Sequence, residues 1–283
     1  IASPADLDRA VVLGLSYPYG PLAFGDAVGP SKVLEILANM NAFYEEPRYR
    51  PNVITAQRLA GGVVGKKVGE GFYKYVDGAA QMPAEPAAPV VDNMPPVWVS
   101  PRAARRAELL QLLKDLGAKI ETGASPSSQA LCLVAPLGFD VTTVAVVERL
   151  DPARTLGIDL LFADAATRRR VLATNPATRE DMRHAAHALF SRDGKAVSVI
   201  RDSGGFVTQR VVANMVNIAC DICQQQICTP QDLELAVTLG LGYPMGPLAM
   251  APSRNLGPCR SIRIAIGCLY SFSSARSRST RCL

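Results

Sequence analysis

The chain has 283 residues, 48% of them hydrophobic and 19% charged, a length for about two domains and the balance of a globular protein. Its net charge of +5 is no argument for a nucleic-acid surface: residues 251–283 hold six Arg and no acid, and without them 24 basic residues face 25 acidic ones. No run of about eighteen apolar residues suggests a membrane span.

The opening IASPADLDRA has neither an initiator Met nor the basic-then-apolar pattern of a secretion signal, and it reads as a cut end. Seven Cys, an odd count with no secretion signal, fit reduced thiols in the cytoplasm. Ser3 is placed to cap a helix whose first turn carries Pro4 and Asp6. LDRAVVLGL continues it at helical spacing, and Pro18, Gly20 and Pro21 stop it. A second helix is expected from Pro30 to Phe43, then a loop, then a short helix ITAQRLAGG closed by glycine. GKKVGEGFYKY, residues 65–75, reads as Gly-rich turns leading into a short aromatic strand. The Ala/Pro-rich stretch that follows is an extended linker and a domain boundary.

Beyond the linker the pattern changes. PVWVS, AKIETG and ALCLVAPLG read as strands, and ARRAELLQLLKDLG as an amphipathic helix. TVAVVERL, TLGIDLLFA and AVSVIRD add strand or helix candidates, so the stretch predicts a doubly wound α/β layer. Gly204 and Gly205 open a long helix, FVTQRVVANMVNIACDICQQQI. Its Cys220 and Cys223 sit in an apolar periodic segment and read as buried structural thiols, not as a metal or redox pair. TPQDLELAVTLGL is the next helix, with Thr229 as cap and Pro230 in its first turn.

That last helix repeats the first. Thirteen of the twenty pairs between residues 5–24 and 231–250 are identical, an internal duplication of a helical unit. In each copy a YPxGP turn follows the helix, and it reads as architectural, with Tyr17 or Tyr243 packing beneath it.

These residues carry a family resemblance. DLDRAVVLGLSYPYGPLAFGDAVG with GKKVGEGFYKY, and GGFVTQR with TPQDLELAVTLGLGYPMGPL, each resemble the C-terminal helical domain of the 3-hydroxyacyl-CoA dehydrogenases. The resemblance is to the bacterial 3-hydroxybutyryl-CoA dehydrogenase type with two tandem helical domains. It implies an α/β plus all-α chain: a first helical copy at 1–77, a linker at 78–95, a degenerate Rossmann-like domain at 96–203 and a second helical copy at 204–250. The tail 251–283 departs from the repeat, which asks for an Asp soon after the turn, and its Arg/Ser/Cys composition is that of a shifted reading frame.

Family members oxidise the 3-hydroxyl of an acyl-CoA and pass hydride to NAD. The resemblance assigns a His as base, a Glu that orients it, and an Asn in a GF-x-x-NR segment that binds the reacting oxygen. In this chain the place of the His falls near Asp159, that of the Glu near Val171, and that of the Asn on Gln209. The first strand is followed by PRAARRAELL, with no G-x-G-x-x-G turn for a pyrophosphate; Arg102, Arg105 and Arg106 there read as a solvated helix start. The only histidines, His184 and His187, lie three apart on a helix well past the active segment, without an obvious acid partner. The expectation is therefore no catalytic, cofactor-binding or metal-binding residue in this chain. Gln209 keeps a substrate-binding family position. Lys66 and Lys67 are candidates for holding CoA or a domain interface, against the alternative of a basic hairpin that closes the domain. NAD and the acyl-CoA substrate belong to the full-length protein, whose NAD domain would precede Ile1, and the helical copies pack as a pseudo-dimer or homodimer. The alternative is a non-catalytic scaffold or dimerisation protein derived from that family.

Overall fold

The computed structural model describes residues 1–162 and 168–253. Residues 254–283, most of the tail read as frameshifted, lie outside the described residues. The chain forms two compact units: one of residues 3–12 and 18–86, the other of residues 1–2, 13–17 and 87 onward.

In the smaller unit α1 (Pro4–Gly14) begins as expected. The Ser3 hydroxyl accepts a hydrogen bond from Asp6 N (3.1 Å) and donates one to the Asp6 carboxylate (2.7 Å). The helices α2 (Pro21–Val28), α3 (Pro30–Tyr44) and α4 (Val53–Ala60) follow, then a hairpin of β1 (Tyr75–Val76) and β2 (Ala79–Ala80). Helix α2 is a correction: Pro21 ends nothing but opens a helix, because the first-turn amides after it have an acceptor. Asp8, 3% exposed, takes Leu22 N (2.8 Å), Ala23 N (2.9 Å) and the Tyr73 hydroxyl (2.9 Å) on its carboxylate. A methyl group on Gly20 would fall inside that carboxylate.

A second buried carboxylate fixes the hairpin. Asp26, 2% exposed, accepts from Phe72 N (2.9 Å), Tyr73 N (3.0 Å) and the Tyr75 hydroxyl (3.1 Å). Burial, with the Asp26 charge beside it, pushes the Tyr75 phenol up to about 12. Gly71 passes so close that a methyl there would overlap the Asp26 carboxylate.

The larger unit is built on a six-stranded sheet of order β4-β3-β5-β6-β7-β8. Its strands are β3 (Val97–Val99), β4 (Ile120–Glu121), β5 (Leu131–Val134), β6 (Thr155–Ile158), β7 (Arg169–Thr174) and β8 (Ala196–Ile200). They are interleaved with α5 (Arg106–Asp115), α6 (Val141–Val147) and α7 (Glu180–Phe190). Leu131, Leu133, Leu156 and Leu172 of the strands, with Leu109, Leu113, Leu189 and Phe190 of the helices, form a core without solvent contact. The doubly wound expectation is corrected at one place: β7, absent from the sequence reading, runs antiparallel to β6, while the other pairs are parallel. Residues 159–168 are too few for the crossover a parallel partner needs, which takes about a dozen residues or more.

β7 is clamped to the loop before β8. Arg170, 8% exposed, makes two parallel bonds of 2.7 Å to Asp193 and a third to the Phe190 carbonyl. The guanidinium holds the Asp193 carboxyl at about 2, below its value in the unfolded chain. A depressed carboxyl stabilises the fold above the unfolded pKa of about 4, and that contribution is lost as pH falls from there toward 2. Melting temperature against pH should therefore drop over this window, and Asp193→Asn should flatten the drop. An unchanged slope in the variant would refute the assignment.

The chain then runs through α8 (Thr208–Gln224), α9 (Pro230–Leu235), a π-helical turn over Ala236–Gly240, and α10 (Pro247–Ser253). The structure repeats as the sequence does, at a constant offset of 226. Thr229 caps α9 as Ser3 caps α1, accepting from Asp232 N at 3.1 Å. Glu234 stands where Asp8 does and takes Leu248 N (2.7 Å), the counterpart of Leu22, and a methyl on Gly246 would fall inside its carboxylate. The equivalent Tyr17 and Tyr243 stack on each other, centroids 4.2 Å apart and planes 7° apart. Tyr17 is 4% exposed, and its hydroxyl donates to Met215 Sδ (2.9 Å).

Candidate functional site

The sheet brings two separated sequence positions together. β6 pairs with β7 so that Ile158 faces Leu172, and one step on the Asp159 amide donates to the Val171 carbonyl at 3.0 Å. The positions where the resemblance expects His and Glu therefore adjoin in space, occupied by Asp and Val. The Asp159 carboxylate accepts from the Thr208 hydroxyl, from Gln209 Nε2 (3.0 Å) and from Leu161 N (3.0 Å). The residue keeps some surface, yet its carboxyl lies among packed atoms, and burial pushes its pKa up against the pull of those donors.

Gln209, 6% exposed, uses its whole amide. Its Oε1 accepts from Gly138 N (2.8 Å), and its Nε2 donates to the Pro136 carbonyl (3.2 Å) as well as to Asp159. The side chain ties α8 to the loop after β5 and to the end of β6. Beside it lies a cleft of about 400 Å³ whose walls include Gly14, Arg105, Asp159, Arg169, Val171 and Thr208. Neither His184 nor His187 is among its lining residues; both are part-exposed on α7, and His184 does have an acid partner, Glu180 at 3.5 Å. With no imidazole in the cleft, the group nearest the expected position of the base is a carboxyl already filled by three donors.

The strand order reverses beside β3, and a crevice of about 350 Å³ opens there, between the turn after β3 and α6. In a dinucleotide fold glycines bring backbone to the pyrophosphate at this turn. Here Ser100, fully buried, donates its hydroxyl to Glu148 (2.5 Å) and accepts from Arg102 N (3.0 Å), and Ala103 is buried behind it. Arg105 holds a left-handed backbone (φ +51°), and its guanidinium is spent on the Leu160 carbonyl (2.9 Å) and Glu108 (3.2 Å). Glu121, at the end of β4, stands where such folds place the acid that binds a ribose hydroxyl, and no motif around it marks it in the sequence. The only signal was its distance of 21 residues from Ser100. Its carboxylate is taken by Ser127, through N (2.9 Å) and Oγ (2.6 Å). Side chains fill the turn and a neighbour occupies the acid, so these residues do not fit a bound dinucleotide.

Lys66 and Lys67 are exposed on a tight turn, Lys66–Val68, in the smaller unit, whereas Gln209 belongs to the larger. The cysteine expectation needs correction: Cys220 is exposed, and Cys223 and Cys228 are partly so. The buried face of α8 is Thr208, Val212, Val216 and Ala219, which leaves position 220 outside it. Among the described cysteines Cys132, on β5, is the buried thiol, and burial pushes it up to about 11. Among the described residues no group of three or more His, Cys, Asp or Glu is set to hold a metal, and no helix is long and apolar enough to cross a membrane.

This combination of a mixed α/β unit and a duplicated helical motif has known counterparts. Residues 1–75 and 205–277 both match the family described as 3-hydroxyacyl-CoA dehydrogenase, C-terminal domain. The 3-hydroxyadipyl-CoA dehydrogenase of Escherichia coli K12 is 28% identical over 282 residues, 98% of this chain and 52% of that enzyme. A 3-hydroxybutyryl-CoA dehydrogenase of Mycobacterium tuberculosis H37Rv is 42% identical over 74 residues, 26% of each chain. Among solved structures, the E. coli K12 3-hydroxybutyryl-CoA dehydrogenase shares the fold with a TM-score of 0.73 at 23% identity, over 98% of this chain and 52% of that one. The chain belongs to the 3-hydroxyacyl-CoA dehydrogenase family. It spans about half the length of the relatives it matches end to end.

Proposed function

We propose that this chain is part of an NAD-dependent 3-hydroxyacyl-CoA dehydrogenase, of the 3-hydroxybutyryl-CoA type, and supplies structure to it instead of the base and its orienting acid. In this reading residues 96–203 are a degenerate Rossmann-like domain between two helical copies, 1–77 and 204–250, joined to the first by the linker 78–95. The observation that carries it is the adjoining pair Asp159 and Val171, where the family's His and Glu would stand. The filled turn at Ser100 supports the same division of labour. Hydride transfer to NAD, and the acyl-CoA that delivers the hydride, then belong to a second α/β domain outside these residues. The helical copies wall the acyl pocket and pack as a pseudo-dimer, a reading that the Tyr17–Tyr243 stack supports. Gln209 stands at the family's oxygen-binding position with its amide spent on Gly138, Pro136 and Asp159, and the exposed Lys66 and Lys67 are the residues proposed to meet a CoA phosphate or a domain partner.

The purified 283-residue chain should show no turnover of acetoacetyl-CoA with NADH and no change in NADH fluorescence on mixing. Measurable reduction would overturn the proposal. Turnover that appears only when the unmatched half of the E. coli 3-hydroxyadipyl-CoA dehydrogenase is added would separate it from a purely non-catalytic scaffold.

A further inference from the structure

The duplication offers a test of what each copy touches. In the first copy the last residues of α1 and Leu15 after them are seated on the α/β part of the same unit. The Leu13 carbonyl accepts from Arg168 N at 3.3 Å, and Gly14 lines the same cleft as Asp159. A methyl on Gly14 would sit 3.4 Å from the Thr208 methyl, and Leu15 is 5% exposed. In the second copy the equivalents are bare. Leu239 is 80% exposed and Leu241 is 55% exposed, flanking an exposed Gly240. The backbone differs as well: Ala10–Gly14 is regular helix, whereas its counterpart Ala236–Gly240 is a π turn.

Tyr17 stacked on Tyr243 is a residue meeting its own equivalent, the mark of an isologous contact. In such a contact, whatever one copy receives the other offers. The first copy's Leu13–Leu15 segment receives an α/β domain across its cleft; the second copy offers Leu239–Leu241 with nothing among the described residues burying it. Apolar side chains left exposed together at a helix end suit a docking surface.

We infer that Leu239, Gly240 and Leu241 form the seat of a second α/β domain of the same kind as residues 96–203, and that they wall its cleft as Gly14 walls the cleft at Asp159. The inference rests on the proposed division of the enzyme and adds to it a crossed arrangement. Each helical copy helps to close the cleft of the α/β domain that belongs, in sequence, to the other copy.

The test uses the full 283-residue chain, immobilised, and the separately produced half of the E. coli 3-hydroxyadipyl-CoA dehydrogenase that this chain does not match. Capture is expected, and Leu239→Asp with Leu241→Asp should weaken it at least tenfold. Val90→Asp, on a linker residue 93% exposed, should leave it unchanged. Both leucines are exposed, so the double variant should keep the parent's unfolding midpoint. No capture, or capture indifferent to the leucine changes, overturns the inference. So does a drop in the variant's own midpoint, which would assign the face to residues 254–283, or a loss of self-association by the chain alone, which would assign it to a second copy. Capture without turnover would leave the docking site standing and sink the proposed function. Turnover that survives the leucine changes would do the reverse.

Discussion

Asp26→Ala is expected to cost about 4 kcal/mol of unfolding free energy, because three donors lose one acceptor at once. Phe72 N and Tyr73 N are main-chain amides with no freedom to turn toward water, and the Tyr75 hydroxyl is held against the same carboxylate. Each buried polar group left without a partner costs about 1–3 kcal/mol, and Asp26 itself is 2% exposed, so little solvent enters to compensate. Asp26→Asn should cost less, about 2 kcal/mol, since one amide oxygen still accepts where two carboxylate oxygens did. Denaturant midpoints of the two variants measure this directly. A loss under about 1 kcal/mol for Asp26→Ala would show that the hairpin at residues 65–80 is not pinned through this carboxylate.

Gly246→Ala should also be damaging, by about 1–2 kcal/mol and for a different reason, a methyl that drives the Glu234 carboxylate off the helix start. Moving the carboxylate aside removes the acceptor of Leu248 N, so the structure cannot relieve the overlap without losing the helix start. A thermodynamic cycle isolates the cause. Glu234→Ala alone costs about 1 kcal/mol as the loss of a cap. Combined with Gly246→Ala, the total should fall well short of the sum, because the second change removes what the methyl strikes. Additive costs would mean the glycine is needed for its backbone angle instead. Gly20→Ala with Asp8→Ala is the same experiment in the first copy, made harsher by the Tyr73 hydroxyl that also depends on Asp8.

Where sequence reading succeeded, the signal was local. Ser3 and Thr229 cap through an acid three residues on, and the duplicated YPxGP turn stands in one line of text. Asp159 and Val171 were placed by counting from a motif, and the sheet sets them side by side. What was missed depends on partners far along the chain. Helix α2 looked like a stop because its cap, Asp8, lies 14 residues before the amide it binds. Asp26 acts on amides 46 and 47 residues away. The antiparallel β7 carries no composition that distinguishes it from a parallel strand; only the shortness of the connection before it decides the direction. Cys220 was misplaced because an apolar helix shows its period clearly but not which of its faces is covered.

The stacked tyrosines have a consequence for how this molecule can change over generations. In a pair of identical subunits one codon specifies both rings, so a substitution strikes the contact twice and its partner residue can never be retained as a foil. Here Tyr17 and Tyr243 are separate codons, and the join between them is covalent, so it does not weaken on dilution. Each side is free to drift alone. Drift is already visible in the sequence around the pair, where Ser16 aligns with Gly242, Tyr19 with Met245 and Phe24 with Met250 in the repeat. A fused twin can therefore keep one half of a contact as a fixed template while the other half is rebuilt for a different task.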